Sequence, residues 1–441
     1  MKQDSPQGTE MPTAVNAPAE RVRAYSVYVL ILLMLIYCMN IADRYLASTF
    51  LEQIKAEYGL SDAQVGLLTG SGTALFFAVA CIPLGRLADR ASRRNLIVVS
   101  LAVWSVATTL SGFAKNTVQF LIGRFVVGAG EAGGTPASFS LLADKFPPRQ
   151  RTVAMSIFTT GSSIGGMIGT LGATFVAAQF GGWRAAFVVF GLIGVPLALL
   201  MVFTVREPAR GALDPTAAEV TVRDSSFIDT SRHVLKSPAL FHVLAAGTVM
   251  SLWGWGLLWW LPAYLTRSAG LDAGAAGGFL GWVYGIGGTA ALLLVALFLW
   301  WRKGSVASTM AVLKISTFIA MISAIAIFVV PGQSGALIAT AAFACLIYCY
   351  TGPVSALLQD LSPATMRAQV FAIFTVTAAI TNLLLAPYLI GSLSDWLVAG
   401  GRSAADGLRL ALLVWSFLGI WAYAHYALAH RHMKRAKEAS S

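Results

Sequence analysis

The chain has 441 residues, 57% of them apolar types and only 12% charged, with a mean hydropathy of +0.71. A soluble globular protein carries about twice that charged fraction, which argues against a soluble multidomain enzyme. The net charge of +11 would point to nucleic acid in a soluble chain, but here its placement along the chain carries the information.

The segment 1–23 is polar, rich in Pro, Gln, Ser and Glu, and reads as a disordered tail. It lacks the basic start, short apolar core and small-residue cleavage site of a secretory signal, so the first apolar run is expected to be a retained membrane helix. From there, apolar runs bounded by charge, Gly or Pro predict twelve spans, at 25–48, 64–86, 95–114, 118–143, 153–178, 184–205, 239–266, 276–301, 308–330, 334–359, 368–391 and 406–428. Each is close to the roughly 20 residues that a bilayer crossing requires. The run 206–238 is the one long polar interruption. The expected organisation is a tail (1–23), a six-helix bundle (24–205), a linker (206–238), a second six-helix bundle (239–430) and a short tail (431–441). The fold class is an all-α polytopic membrane protein.

With the N-terminus placed inside, 22 of the 31 Lys and Arg residues fall on the cytoplasmic side, 6 on the other and 3 within spans. This bias predicts a multi-pass protein of the cell (inner) membrane with both termini cytoplasmic. The four cysteines, Cys38, Cys81, Cys345 and Cys349, lie in apolar stretches and have no metal-site spacing. They read as small buried side chains.

Two loops repeat each other. ADKFPPRQRTVAMSIF starts at Ala143 and QDLSPATMRAQVFAIF at Gln359. Asp144, Pro147, Arg151, Ile157 and Phe158 match Asp360, Pro363, Arg367, Ile373 and Phe374 at one offset of 216 residues. The two bundles therefore read as copies about an axis along the membrane normal, an arrangement that places a binding site between them near the midplane.

The loop after span two reads GRLADRASRR, with Gly85, Asp89, Arg90, Arg93 and Arg94 in the pattern G-x-x-x-D-R-x-x-R-R. In this position it resembles the signature loop of the major facilitator superfamily. Gly85 permits close helix approach, and Asp89 can meet basic groups or a helix N-terminus of the other half. Together with Asp144, Arg151, Asp360 and Arg367, these residues are expected to form a conformational latch. In the second half the corresponding segment, WWRKGS from Trp300, is degenerate. Span five carries Gly161, Gly165, Gly169 and Gly172 at helical spacing, a pattern for close helix packing.

A narrower set follows in order: NIADRY from Asn40, GRFVVGAGEA from Gly123, GWRAAF from Gly182, REPARG from Arg206, LPAYLTRSAG from Leu261 and GPVSALLQDLSPATMR from Gly352. This set is similar to the spinster branch of the superfamily. That resemblance implies a proton-linked transporter of lysophospholipids or sphingoid lipids working by alternating access. A branch that imports organic anions shares a similar DR in span one and R…E in span four, so a proton symporter of small organic anions is the alternative.

A charge at the centre of a span costs about 2.5–3.5 kcal/mol on insertion scales. Two acids lie that deep, Asp43 in span one and Glu131 in span four, each with an arginine nearby, Arg44 and Arg124. Arg124 and Glu131 are seven residues apart and share a helix face; the adjacent Asp43 and Arg44 point about 100° apart. Asp43 and Glu131 are the candidates for proton coupling. Arg44 and Arg124 are the candidates for tuning them or holding an anionic headgroup. A self-neutralising structural network is the bland reading of the same four residues, and the resemblance implies the functional roles at the same positions.

The second half offers aromatic rings instead: Trp253, Trp255, Trp259, Trp260, Trp282 and Tyr284. Several of these read as membrane-interface anchors, with Trp255, Trp259 and Tyr284 as candidate cavity lining. One ionic and one apolar wall suit an amphiphile. No metal, organic cofactor, nucleotide or nucleic acid is expected, and no enzyme motif is present; the coupling ion would be the proton and the expected state in the bilayer a monomer.

Overall fold

The computed structural model describes residues 24–209, 227–303, 305–363 and 366–440. The predicted tail at 1–23, Gly304, Ala364, Thr365 and most of the linker lie outside these residues. Every regular element among them is helical.

Among the described residues, eleven helices are long and apolar enough to cross a bilayer: Ala24–Thr49, Asp62–Cys81, Arg93–Gly112, Val153–Phe180, Trp183–Thr204, Pro238–Arg267, Ala273–Trp301, Val306–Val329, Gln333–Asp360, Gln369–Ala399 and Ala404–Ala436. They match predicted spans one to three and five to twelve. Span four is present but divided into Thr117–Glu131 and Gly134–Lys145, each too short alone. The cause lies in the sequence. Pro136 has no N–H for the carbonyl of Ala132, four residues back, and its ring crowds that carbonyl. Glycines at 130, 133 and 134 lower the helical preference around it. Glu131 thus ends the first piece, at a place where the ladder of backbone hydrogen bonds is interrupted.

The repeat is visible in backbone detail. Span two contains a wide i→i+5 turn at Leu67–Ser71, and span eight contains one at Val283–Gly287, again 216 residues on. Such turns are rare and concentrate at functional sites. At the repeated loops, Arg151 Nε donates to the carbonyl of Phe146 (3.1 Å) and Arg367 Nε to that of Ser362 (3.4 Å), also one offset apart.

The helices define two faces. The basic face carries the segments near 91, 146, 206–209, 227–236, 303 and 363; the far face carries the loops near 59, 115, 181, 270, 331 and 401. On the basic face, Phe227–Lys236 of the linker forms a short helix, and the helix of span twelve continues to Ser440, so the short tail expected at 431–441 is helical through Ser440.

Span five fixes the rotation of span one. A Cβ on Gly165 would stand 2.6 Å from the carbonyl oxygen of Cys38, and one on Gly169 2.5 Å from that of Ala42. Only glycine allows this approach, which holds the Asp43–Arg44 turn in register against the bundle. Among the tryptophans, Trp253 and Trp260 are fully buried core residues rather than interface anchors, while Trp282 is 55% exposed. The cysteines are free and buried or half-buried.

Candidate functional site

The four charged residues of spans one and four form two crossed pairs. Arg44 Nε donates to Glu131 Oε2 at 2.8 Å, and Arg124 Nη1 to Asp43 Oδ2 at 3.2 Å. Span three completes the second pair. Thr108 Oγ1 donates to Asp43 Oδ1 (2.6 Å), and Arg124 Nη2 reaches Ser111 Oγ (3.2 Å). Two acids and two bases bury no net charge, which is what a low-dielectric site tolerates. Phe187 and Phe120 lie 5.1 and 5.6 Å from the Arg124 guanidinium, and Phe77 lies 5.1 Å from that of Arg44.

The two pairs differ. Asp43 and Arg124 are almost wholly sealed, whereas the Arg44 side chain is 22% exposed. Glu131 is buried, and its second oxygen, Oε1, has no hydrogen-bond partner among the described residues.

Two cavities flank this network. One is lined by Asp43, Arg44, Ala47, Thr69, Gly70, Thr73, Arg124, Trp259 and Leu383. The other is lined by Ile36, Tyr37, Asn40, Trp104, Glu131, Gly134, Thr135, Ser138 and Phe158. Chain direction places them on opposite sides. Span one runs from the basic to the far face, so Ala47 is one turn beyond Asp43 and Asn40 one turn before it. Span four runs back, so Thr135 and Ser138 lie on the basic side of Glu131. The first cavity is therefore the far-side cleft, walled by both halves, and the second is a basic-side cavity within the first half.

Of the predicted cavity aromatics, Trp259 borders the far-side cleft. Tyr284 is fully buried, its ring 5.3 Å from that of Tyr45, and Trp255 Nε1 donates to Tyr350 Oη at 3.1 Å. Asn382 in span eleven donates to Ser251 Oγ (3.0 Å), a contact between helices.

The expected latch residues gather differently. Arg93, 1% exposed, binds Asp144 and, at 2.8 Å, Glu207. Glu207 also accepts from the Arg94 amide (2.8 Å) and Ser92 (2.9 Å). Burial alone would raise the Glu207 carboxyl, but the Arg94 amide, Arg93 and Ser92 outweigh it and hold its pKa below the usual range. This network ties spans three, four and six within the first half. Arg90 and Asp360 are exposed. The surroundings of Gly85 and Asp89 lie outside the described residues.

An ionic contact between the halves lies on the far face, and the sequence reading missed it. Arg267, at the end of span seven, binds Asp62 (2.8 Å) and Glu52 (2.5 Å) of the first half. Asp62 also accepts from Lys55 (2.5 Å) and from Ser394 of span eleven (2.6 Å). Asp395 accepts the backbone N–H groups of Asp62 and Ala63 at 2.9 and 2.8 Å, a carboxylate from one half capping the first turn of span two in the other. Below it, Gly66 meets the Pro387 carbonyl so closely that a Cβ would stand 2.3 Å from its oxygen.

Comparison with known proteins agrees with this architecture. Residues 33–387 match the Major Facilitator Superfamily profile. An MFS-type efflux pump of Mycolicibacterium smegmatis is 27% identical over 91% of this chain and 92% of its own length. The sphingosine-1-phosphate transporter SPNS2 of Danio rerio is 28% identical over 52% of this chain and 46% of its own length. A probable sulfoacetate transporter, SauU, of Cupriavidus necator is 31% identical over 54% and 56%. This chain thus spans about half the length of the last two. A bacterial homologue of the lysosomal transporter spinster, solved in an inward-facing, unoccupied conformation, superposes with a TM-score of 0.84 at 25% identity, covering 94% of this chain and 98% of that one. The chain belongs to the major facilitator superfamily and is a multi-pass membrane transporter, not an enzyme.

Proposed function

We propose that the chain is a proton-coupled transporter of an amphiphilic lipid with an anionic headgroup, of lysophospholipid or sphingoid-phosphate type, working by alternating access with the basic face cytoplasmic. The observation that carries this reading is the split environment of the Arg44–Glu131 pair. Arg44 borders the far-side cleft, while Glu131 borders the basic-side cavity and binds Arg44 through one oxygen only.

Charge balance then couples proton and substrate. With all four groups ionised the site is neutral. A proton on Glu131 leaves Arg44 without its counter-charge, and an anionic headgroup in the cleft restores neutrality. An uncompensated charge at this depth costs about 2.5–3.5 kcal/mol. The halves therefore rearrange readily when empty or when carrying both proton and anion, and poorly when carrying one. Asp43, bonded to Arg124 and Thr108, offsets the charge of the second arginine. The charge comes from the first half and the apolar wall, Trp259 and Leu383, from the second, which suits a head-and-tail substrate. The likeness to SPNS2 and to the spinster homologue supports the lipid assignment.

The same chemistry serves a small organic anion. The similarity to SauU favours that second reading. Reconstituted proteoliposomes separate the two. The lipid reading expects movement of lysophosphatidate or sphingosine phosphate driven by a pH gradient. Transport of small carboxylates or sulfonates without lipid movement would replace it with the anion symporter.

A further inference from the structure

The basic-side cavity has a composition that the transport cycle above does not by itself require. It is lined by Glu131, whose Oε1 has no hydrogen-bond partner among the described residues, by Asn40, Thr135 and Ser138, and by the rings of Tyr37, Trp104 and Phe158. A buried carboxylate oxygen with no partner is costly, and a small cavity that brings hydroxyl and amide groups near that carboxylate is a setting in which proteins hold a water. The Ser138 hydroxyl already donates to the Gly134 carbonyl (2.8 Å), so its oxygen keeps lone pairs free to accept. Asn40, 4% exposed, supplies an amide one helical turn from Asp43 and Arg44. The break in span four after Glu131 shapes this lining, since Gly134 and Thr135 begin the next helical piece.

We propose that Asn40, Thr135 and Ser138 form a water port that carries protons between the basic face and Glu131, separate from the far-side cleft that takes the substrate. This inference rests on the coupling role of Glu131 proposed above. In the loading step a hydrated proton in the port gives up its O–H bond, Glu131 Oε1 gains the proton, and the Arg44–Glu131 ion pair becomes a bond between a cation and a neutral acid. The released water stays in the port. Reversal returns the proton by the same path. The charged and titratable groups around Glu131 are Arg44 and Asp43 from span one and Arg124 from its own span, with Tyr37 lining the same cavity. Spans three and five present Trp104 and Phe158, which do not titrate. The three hydrogen-bonding residues are thus positioning residues for the proton and make no substrate contact.

The test is infrared difference spectroscopy on the full-length protein in vesicles of uniform orientation. The carboxylic acid band that disappears in Glu131→Gln reports the Glu131 proton. After a jump into D2O, Asn40→Leu and Thr135→Val should slow hydrogen–deuterium exchange of that band about tenfold, the loss of one hydrogen bond to the port water. Asn40→Ser, which keeps a polar group there, should exchange at nearly the wild-type rate. Thr135→Val preserves shape and carries the test if Asn40→Leu does not fold. An acid jump on the basic side should load Glu131 faster than one on the far side. Unchanged exchange in both apolar variants, or equal loading from both sides, overturns the port while leaving the coupling role intact. A protein with no Glu131-dependent band overturns both.

Discussion

The two faces of this transporter are built from the same kinds of residue arranged to opposite effect. On the far face, Arg267 and Asp395 of the second half engage Glu52 and Asp62 of the first, and Gly66 seats against the Pro387 backbone. On the basic face, the ion pairs of Arg93 with Asp144 and Glu207 stay inside one half, and Arg151 and Arg367 each bond a carbonyl of their own loop. Charges that bridge the halves resist their separation, whereas charges that stay within one half stiffen it as a rigid body. Among the described residues, then, the far face is tied shut by ions across the seam. Substitutions there change the tie between the halves without touching the cleft bordered by Arg44.

The sharpest way to break this contrast is Arg267→Gln. Removing one member of a largely buried ion cluster costs about 3–5 kcal/mol, most of it from the charges left behind. Spin-label distances across the far face should shift to a longer population, while those across the basic face within the first half stay fixed. Gly66→Ala should act in the same direction by steric force, at about 1–3 kcal/mol. Asp395→Asn loses a charged cap and should shift the population more weakly, by about 1 kcal/mol. Glu207→Gln is the control from the other face. Its folded pKa lies below the unfolded value. Its contribution is therefore present above the unfolded pKa and is lost as pH falls through the folded one. The variant should flatten the fall of melting temperature in that acidic window, by no more than about 1 kcal/mol of stability, with far-face distances unchanged.

Much of the architecture was legible because the bilayer restricts what a chain can do. Apolar runs of the right length can cross only as helices, and the 216-residue offset read in two loops reappears in the wide turns of spans two and eight. The division of span four also had its signal, a proline four residues after Ala132 amid glycines. The site was legible in part. Depth singled out Asp43, Arg44, Arg124 and Glu131, and seven-residue spacing put two of them on one face. Which acid takes which arginine depends on the register between spans one and four, and the part of Thr108 on the relative rotation of span three. Neither is a local property. The far-face seam was opaque for a different reason. Arg267 and Asp62, 205 residues apart, look in sequence like ordinary solvated loop charges, and only the packing of the halves brings them together.

The central claim is that a proton on Glu131 frees Arg44 for an anionic headgroup. Binding of lysophosphatidate to the purified protein at acidic and alkaline pH, for wild type and Glu131→Gln, tests it most directly. Wild type should bind about tenfold or more tightly in acid, where Glu131 is neutral, and Glu131→Gln should bind tightly at both pH values. A Glu131→Gln protein that keeps the wild-type pH dependence would contradict the account.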